Sequence, residues 1–477
     1  MNLGGKKRPQ GTRHAGFVVS DLSSVGAGSL EGWIQNPSLL MAMSDRLFAF
    51  AKGAYSLIVG WEGPAAEDEG SAPPPVEIRL PMGSSSKSSQ EPLHVQFTAI
   101  QWLSFHKYSF LALGTSQGSI LFYSTAGSLL HRQVFQDTPV LQLRARGNWD
   151  KSSQRSSVEE LCVVYAKAIV RIDTIDLQPL LHRCLQNAES RAYKGLSEDV
   201  FDDKNRIAHQ VWNVSRNLGG TSSCIDGAIT GVMPPPLLEH QSTQRYFCAI
   251  TVGSDCALAA HRLSEDRTSS LVNFLIKKIM PATVSTVSAL AKFVWRSSDN
   301  QEAPEYRPPE VKPQEFGRAS LITTLKDRPR HGEKIALSPS GGMAAITDSL
   351  GRILLVDTQA LVVIRLWKGY RDAECFFIEV PVTGNPSVGT PSHKGITKQD
   401  LVLCLAIHAP RREVVEVWKL RDGPRISIVK CERGCRVIQP VYRFHGSDYD
   451  TDSGYSPSEA YIFNGDSGHL TVISPRI

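Results

Sequence analysis

No uninterrupted apolar run in this 477-residue chain approaches the ~18 residues that a membrane-spanning helix needs. The amino terminus carries Lys6-Lys-Arg8 and Arg13 with no apolar stretch behind them, so nothing there reads as a secretory leader, and Asn2 excludes myristoylation. A large excess of one sign of charge is lacking as well: a net +5 is too dilute to mark a nucleic-acid binder. Phosphate-cradling motifs are missing, since no G-x-x-x-x-G-K-[ST] occurs and Gly26-Ala-Gly28-Ser-Leu-Glu-Gly32 has the wrong final spacing for a dinucleotide loop. The nine cysteines form no spaced framework. Several sit inside apolar runs, such as Leu161-Cys-Val-Val164 and Leu403-Cys-Leu405, which reads as reduced, buried thiols in a cytoplasmic protein.

What is present is a repeat. His331–Glu374 reads as four short strands, Lys334–Leu337, Met343–Thr347, Ile353–Val356 and Leu361–Trp367, parted by Ser338-Pro-Ser-Gly-Gly342, Asp348-Ser-Leu-Gly351 and a polar break after Asp357. Four strands joined by tight turns make one propeller blade. Its central pair, two apolar runs around a turn, recurs at Leu47–Gly60, Phe110–Ser124, Leu161–Ile175, Arg245–Leu263, Leu401–Leu420 and Ala460–Ile473, which with Met343–Val356 makes seven. A blade takes about 40–45 residues, so seven leave room for insertions. The expected fold is all-β: a seven-bladed WD40-like β-propeller with a short helical insertion, a single domain over 1–477. Insertions are expected as a polar loop with a short helix at 185–220 and a longer segment at 264–318. The last strand, Leu470–Ile473, should close the ring by sharing a blade with an amino-terminal strand, expected at Gly16–Ser20.

Two stretches stand out as surfaces. Within 264–318, Leu271–Met280 and Val284–Trp295 have helical apolar spacing broken at Pro281, followed by a Pro-rich linker, Ser297–Pro313. Packing over the blades is the default for these helices. A membrane or partner contact is the sharper reading, because Lys277, Lys278 and Lys292 flank an apolar face carrying Phe293 and Trp295. The second stretch is Arg365-Leu-Trp-Lys-Gly-Tyr-Arg-Asp372, at the end of a predicted strand. Its Arg365, Trp367, Lys368, Tyr370, Arg371 and Asp372 are residue types that protein-binding hot spots use. The plainer reading is a blade edge with Trp367 packed between blades, and no wider basic stripe supports nucleic acid.

Catalytic chemistry finds little footing. Gly114-Thr-Ser-Gln-Gly118 has the G-x-S-x-G form, but a nucleophile elbow must lead from a strand into a helix, and Ile120-Leu-Phe-Tyr123 continues as a strand. Cys431-Glu-Arg-Gly-Cys435 offers two thiols with no spaced second pair to complete a zinc site. No catalytic residue, metal or cofactor is therefore expected.

A family resemblance is carried by Trp212, Ile229-Thr-Gly-Val-Met233, Ile250-Thr-Val-Gly-Ser254, Val287–Trp295, Arg330-His-Gly-Glu333, Leu337-Ser-Pro339, Ala344-Ala-Ile-Thr-Asp348, Gly351-Arg-Ile353 and Trp367-Lys-Gly-Tyr-Arg-Asp372. In this order they resemble the amino-terminal domain of the non-catalytic, regulatory subunit of the Rab GTPase-activating complex that acts on the Rab-three group. With its end at Ile477 the chain is similar to the short, propeller-only members known from plants. The resemblance implies a subunit that binds a separate catalytic subunit and modulates its action on Rab GTPases in membrane traffic. It places the chain in the cytoplasm, at most peripheral to endomembranes. In that family the residues promoting GTP hydrolysis belong to the partner, so neither Arg365 nor Arg371 is read as an arginine finger. A coat or tethering scaffold without direct Rab activity is the alternative. A hydrolase or isomerase using a central-channel site ranks below both.

Overall fold

In the computed structural model, which describes residues 12–14, 19–28, 32–61, 74–80, 95–105, 108–147, 159–194, 206–215, 223–234, 245–265, 316–382, 401–444 and 457–475, the seven apolar hairpins form the middle strands of seven four-stranded antiparallel sheets. Blade 1 comprises β2 (Leu40–Met43), β3 (Leu47–Lys52), β4 (Tyr55–Gly60) and β5 (Val76–Arg79). Blade 2 comprises β6 (Phe97–Ser104), β7 (Ser109–Thr115), β8 (Ser119–Ser124) and β9 (Leu129–Val134). Blade 3 comprises β10 (Val140–Arg146), β11 (Glu160–Tyr165), β12 (Ala168–Asp173) and β13 (Gln210–Asn213). Blade 4 comprises β14 (Cys224–Met233), β15 (Tyr246–Gly253), β16 (Leu258–Ser264) and β17 (Ala319–Leu325). Blade 5 comprises β18 (Gly332–Leu337), β19 (Met343–Asp348), β20 (Arg352–Asp357) and β21 (Val362–Lys368). Blade 6 comprises β22 (Glu374–Pro381), β23 (Leu401–Ala409), β24 (Val414–Lys419) and β25 (Arg425–Lys430).

Blade 7 is composite. Strands β26 (Cys435–Ile438), β27 (Tyr461–Asn464) and β28 (His469–Val472) come from the carboxy-terminal end, and β1 (Thr12–His14) completes the sheet, with Thr12 opposite Thr471 and His14 opposite His469. The ring closes as expected, but through residues 12–14 rather than Gly16–Ser20; residues 16–18 lie outside the described residues and Val19–Val25 is a 3-10 turn. An outermost strand packs on one side only, so it needs no apolar run to mark it. The closure is reinforced by Phe463, whose ring centroid lies 5.6 Å from that of Phe48 and 6.2 Å from that of Phe50, and by Trp33 Nε1, which donates to Gly465 O at 3.2 Å.

Each strand's burial follows from its place in the blade. The middle strands are covered on both faces by neighbouring blades: every residue of β8, β11 and β15 is buried. Continuous apolar runs are the sequence form of that environment. The outermost strands β21 and β25 alternate or are largely exposed. Seven apolar clusters fill the seven junctions between successive blades, so the core is a ring of interfaces around a channel.

Because each blade's chain runs antiparallel from the channel outward, first-to-second and third-to-fourth connections share one rim, called lower here. Second-to-third and blade-to-blade connections share the upper rim. The lower rim holds the described helix, α1 (Thr174–Tyr193). Strand β12 ends at Asp173, two residues short of the expected Ile175, and α1 follows at once, with Asp173 extended before it and Asp176 in its first turn. Leu177 and Leu181 are buried, and Leu180, Cys184, Leu185 and Ala188 pack against the junction of blades 2 and 3. The stretch read as a loop with a short helix at 185–220 contains the end of this helix, which begins earlier, at Thr174, and the blade-3 outer strand β13. The helices expected at 271–295 lie outside the described residues.

Candidate partner-binding rim

Strand β21 and the turn after it carry all six residues singled out at 365–372, and the structure divides them. Arg365 and Trp367 face the next blade. Trp367 is buried, 6.1 Å from Trp418 of β24 in a T-shaped contact, and the Arg365 guanidinium lies over both indoles at 4.7 and 5.0 Å. Arg365 Nη1 also sits 3.0, 2.8 and 2.8 Å from the carbonyl oxygens of Lys419, Leu420 and Gly423. A cation set among turn carbonyls and between two indoles holds blades 5 and 6 together.

Tyr370 is buried as well. Its hydroxyl donates to Glu416 Oε2 at 2.6 Å, and the same carboxylate receives Trp418 Nε1 at 3.1 Å and Arg425 Nη1 at 3.0 Å. Burial, with the bond to Glu416, pushes the Tyr370 phenol up to about 12. Lys368, Arg371 and Asp372 face solvent on the upper rim. Asp372 accepts from Arg411 Nε at 2.6 Å, whereas the side chains of Lys368 and Arg371 have no ion-pair or hydrogen-bond partner among the described residues.

Sequence reading missed the opposing wall. Arg411 and Arg412 lie in the second-to-third turn of blade 6, which the topology brings to the same rim as the link between blades 5 and 6. Arg412 lies 4.5 Å over the Tyr370 ring and donates from Nη2 to Gly369 O at 2.8 Å. Together Gly369, Tyr370, Arg371, Ala409, Arg411 and Arg412 line an open recess of about 170 Å³. The signal was the Pro410-Arg-Arg412 turn itself, legible only once strand order put it beside residue 370.

The other sequence candidates resolve differently. Phe293 and Trp295 lie outside the described residues. Gly114-Thr-Ser-Gln-Gly118 turns between β7 and β8, with Thr115 Oγ1 accepting from Ser119 N at 3.0 Å, so no strand-to-helix elbow exists there. Among the described residues no group of three or more His, Cys, Asp or Glu could hold a metal. Cys431 lies 3.7 Å from His408 Nε2, and its thiol is pushed up by a hydrogen bond with Cys435 and by burial. Burial pushes the thiols of Cys162, Cys224 and Cys375 up to about 12, which leaves them protonated and unreactive. No helix among the described residues is long and apolar enough to cross a membrane.

A further cluster lies on the lower rim, where all four strands of blade 3 contribute. Glu160 of β11 is fully buried, with Arg146 Nε of β10 at 2.9 Å, Arg171 Nε of β12 against its other oxygen, and Gln210 of β13 beside Arg171 at 3.5 Å. Arg171 also meets Asp173 at 3.2 Å and covers the Phe247 ring of blade 4 at 4.5 Å. Despite the opposing effect of burial, the two guanidinium groups hold the Glu160 carboxyl below the usual carboxylate range.

Fold and rim together define a seven-bladed β-propeller whose upper rim, at blades 5 and 6, exposes arginine and lysine side chains over buried aromatic ones. Residues 33–438, from the turn before blade 1 to the first strand of blade 7, match the family described as Rab3 GTPase-activating protein regulatory subunit N-terminus, and the chain belongs to that family. It is 23% identical over 341 residues to the Rab3 GTPase-activating protein regulatory subunit of Caenorhabditis elegans, a match covering 66% of this chain and 22% of the relative. The chain thus spans about a fifth of that relative's length. Solved structures similar to it include Sqt1 of Saccharomyces cerevisiae, at 13% identity over 91% of this chain and 83% of that one, with a TM-score of 0.41. A chain of the BBS1N complex with ARL6DN is 11% identical over 91% of this chain and 92% of that one, with a TM-score of 0.42.

Proposed function

We propose that the chain is a non-catalytic regulatory subunit: it binds the catalytic subunit of a Rab GTPase-activating complex and modulates that subunit's action on Rab GTPases in membrane traffic. Membership of the regulatory-subunit family over residues 33–438 carries this reading. The upper rim at Lys368, Arg371, Asp372, Arg411 and Arg412 is the proposed docking face, because it joins exposed arginine to a buried aromatic floor at Tyr370. Arg365 and Trp367 act behind it, fixing the platform. The reading places the chain in the cytoplasm, peripheral to endomembranes through its partners, and leaves the chemistry of GTP hydrolysis to the catalytic subunit.

Co-purification with the catalytic-subunit homologue of the same cell, followed by GTP hydrolysis and nucleotide release on a panel of Rab proteins, tests this. A stable complex with altered Rab turnover is expected. A folded propeller that forms no complex and changes no rate would overturn the reading in favour of a coat or tethering scaffold.

A further inference from the structure

The upper rim at blades 5 and 6 is built under local backbone constraint. Three described non-glycine residues have positive φ, and two of them, Asp372 at 59° and Glu413 at 56°, flank the recess. Left-handed backbone costs an ordinary residue about 1 kcal/mol or more, so such positions persist only where their surroundings fix them. The surroundings are visible: Tyr370 N donates to Gly351 O at 2.8 Å, and a Cβ at Gly351 would meet Arg371 Cγ at 2.6 Å. Both strained residues are acidic, and each is paired with an exposed arginine, Asp372 with Arg411 at 2.6 Å and Glu413 with Arg433 at 2.5 Å.

Cations still exceed the carboxylates that reach them. The side chains of Arg371 and Lys368 are exposed without a partner among the described residues, and Arg412 lies 3.9 Å from Glu416, which already takes bonds from Tyr370, Trp418 and Arg425. We infer that the recess between Arg371, Arg411 and Arg412 binds an acidic side chain from a peptide segment of a partner protein, and that Asp372 is an internal stand-in for that carboxylate. On binding, the incoming carboxylate takes the Arg371 and Arg411 guanidinium groups and Asp372 gives up its bond to Arg411.

The chemistry favours a carboxylate over a polyanion. The recess, at about 170 Å³, has room for one side chain, and the present partner of Arg411 is a carboxylate, that of Asp372. Planar guanidinium groups match carboxylates through paired N–H donors. Assigning the acidic segment to the catalytic subunit rests on the regulatory reading; the recess itself does not.

The test uses the full chain and a fluorescein-labelled peptide of four Asp-Glu repeats, with an Asn-Gln peptide of equal length as control, read by anisotropy at low and high salt. Binding of the acidic peptide alone, weakening with salt, is expected. The double variant Arg371→Glu with Arg411→Glu should lose it by about tenfold or more, since each removes a charge-assisted bond. Asp372→Asn, which tolerates the left-handed backbone, should strengthen it by up to about fivefold by freeing Arg411. Circular dichroism melts of both variants establish that they are folded. Affinity unchanged in both variants would overturn the site, as would equal displacement by millimolar inorganic phosphate and by unlabelled peptide. Co-purification with the catalytic subunit separates the two readings. Arginine-dependent peptide binding by a chain that forms no complex keeps the recess and removes the regulatory reading. A complex indifferent to the double variant keeps the regulatory reading and removes the recess from the interface.

Discussion

Arginines and carboxylates gather on both rims of the ring, and they are built in opposite ways. On the lower rim Glu160 is wholly inside blade 3, with Arg146 and Arg171 on its two oxygens and the Arg171 side chain only 3% exposed. On the upper rim Arg411 and Asp372 are 61% and 63% exposed, and the Arg371 side chain beside them has no partner among the described residues. Buried charges persist only when every one is answered, whereas exposed ones can stay unanswered because water screens them. The same residue types thus form an internal tie across four strands in one place and an open surface in the other.

The sharpest break in that contrast is Glu160→Ala. The Arg146 guanidinium would stay buried without its carboxylate and Arg171 would keep only Asp173 at 3.2 Å and Glu265 at 3.7 Å; removing one partner of such a cluster costs about 3 kcal/mol. Urea unfolding should show this as a lower midpoint with an unchanged slope; a loss under about 1 kcal/mol would mean that water reaches Arg171 freely. Acid should act on the same interior. Glu160 and Glu374 have folded pKa values below their ordinary value of 4.5, so the stability they add is present above it and is lost as pH falls through the folded values. Buried His261 is pushed down to about 4 from 6.5, and His408 shifts the same way, so their contribution is complete above pH 6.5 and fades as pH falls toward about 4. Melting temperature should therefore begin to drop near pH 6 and fall more steeply below about 4.5. A flat profile from pH 7 to 4 would contradict the burial of these groups.

Arg365→Ala is the next largest effect. The substitution removes three carbonyl contacts and two indole contacts at the junction of blades 5 and 6, and should cost about 2–3 kcal/mol. Arg365→Lys should recover less than half, because an ammonium group lacks the flat face that lies between Trp367 and Trp418. Full recovery by lysine would reduce the stack to a point charge. Tyr370→Phe should cost about 1 kcal/mol, as Glu416 keeps Trp418 and Arg425 as donors.

These sites also show what could be read from sequence. All seven expected hairpins are the second and third strands of their blades, because those strands are covered on both faces and so appear as continuous apolar runs. First and fourth strands are weaker signals. Thr12–His14 closes the ring without an apolar residue, and Gln210–Asn213 hides in a polar stretch that reads as loop. The start of helix α1 was obscured because Ile172 and Ile175 extend the apolar run of β12 across the strand's end at Asp173. In the rim, the cluster 365–372 is contiguous and was visible. Its partners Arg411, Arg412 and Glu416 lie about 40 residues on and meet it only through blade order, which composition does not encode.

The smallest effect is the one that tests the contrast most directly. Arg411 and Asp372 form a well-aligned pair at 2.6 Å, as short as many buried ones, yet both side chains are more than half exposed. Exposed pairs contribute at most about 1 kcal/mol, since water solvates the separated charges almost as well. A double-mutant cycle with Arg411→Ala and Asp372→Asn, followed by urea unfolding, should therefore give a coupling below about 1 kcal/mol that shrinks in 0.5 M salt. Arg371→Glu should leave stability within about 0.5 kcal/mol of the parent chain, because no described contact is lost. A coupling of 2 kcal/mol or more, insensitive to salt, would make Asp372 a structural tie like Glu160. Its left-handed backbone would then serve the fold, and the rim would have no carboxylate free to yield its place to a partner.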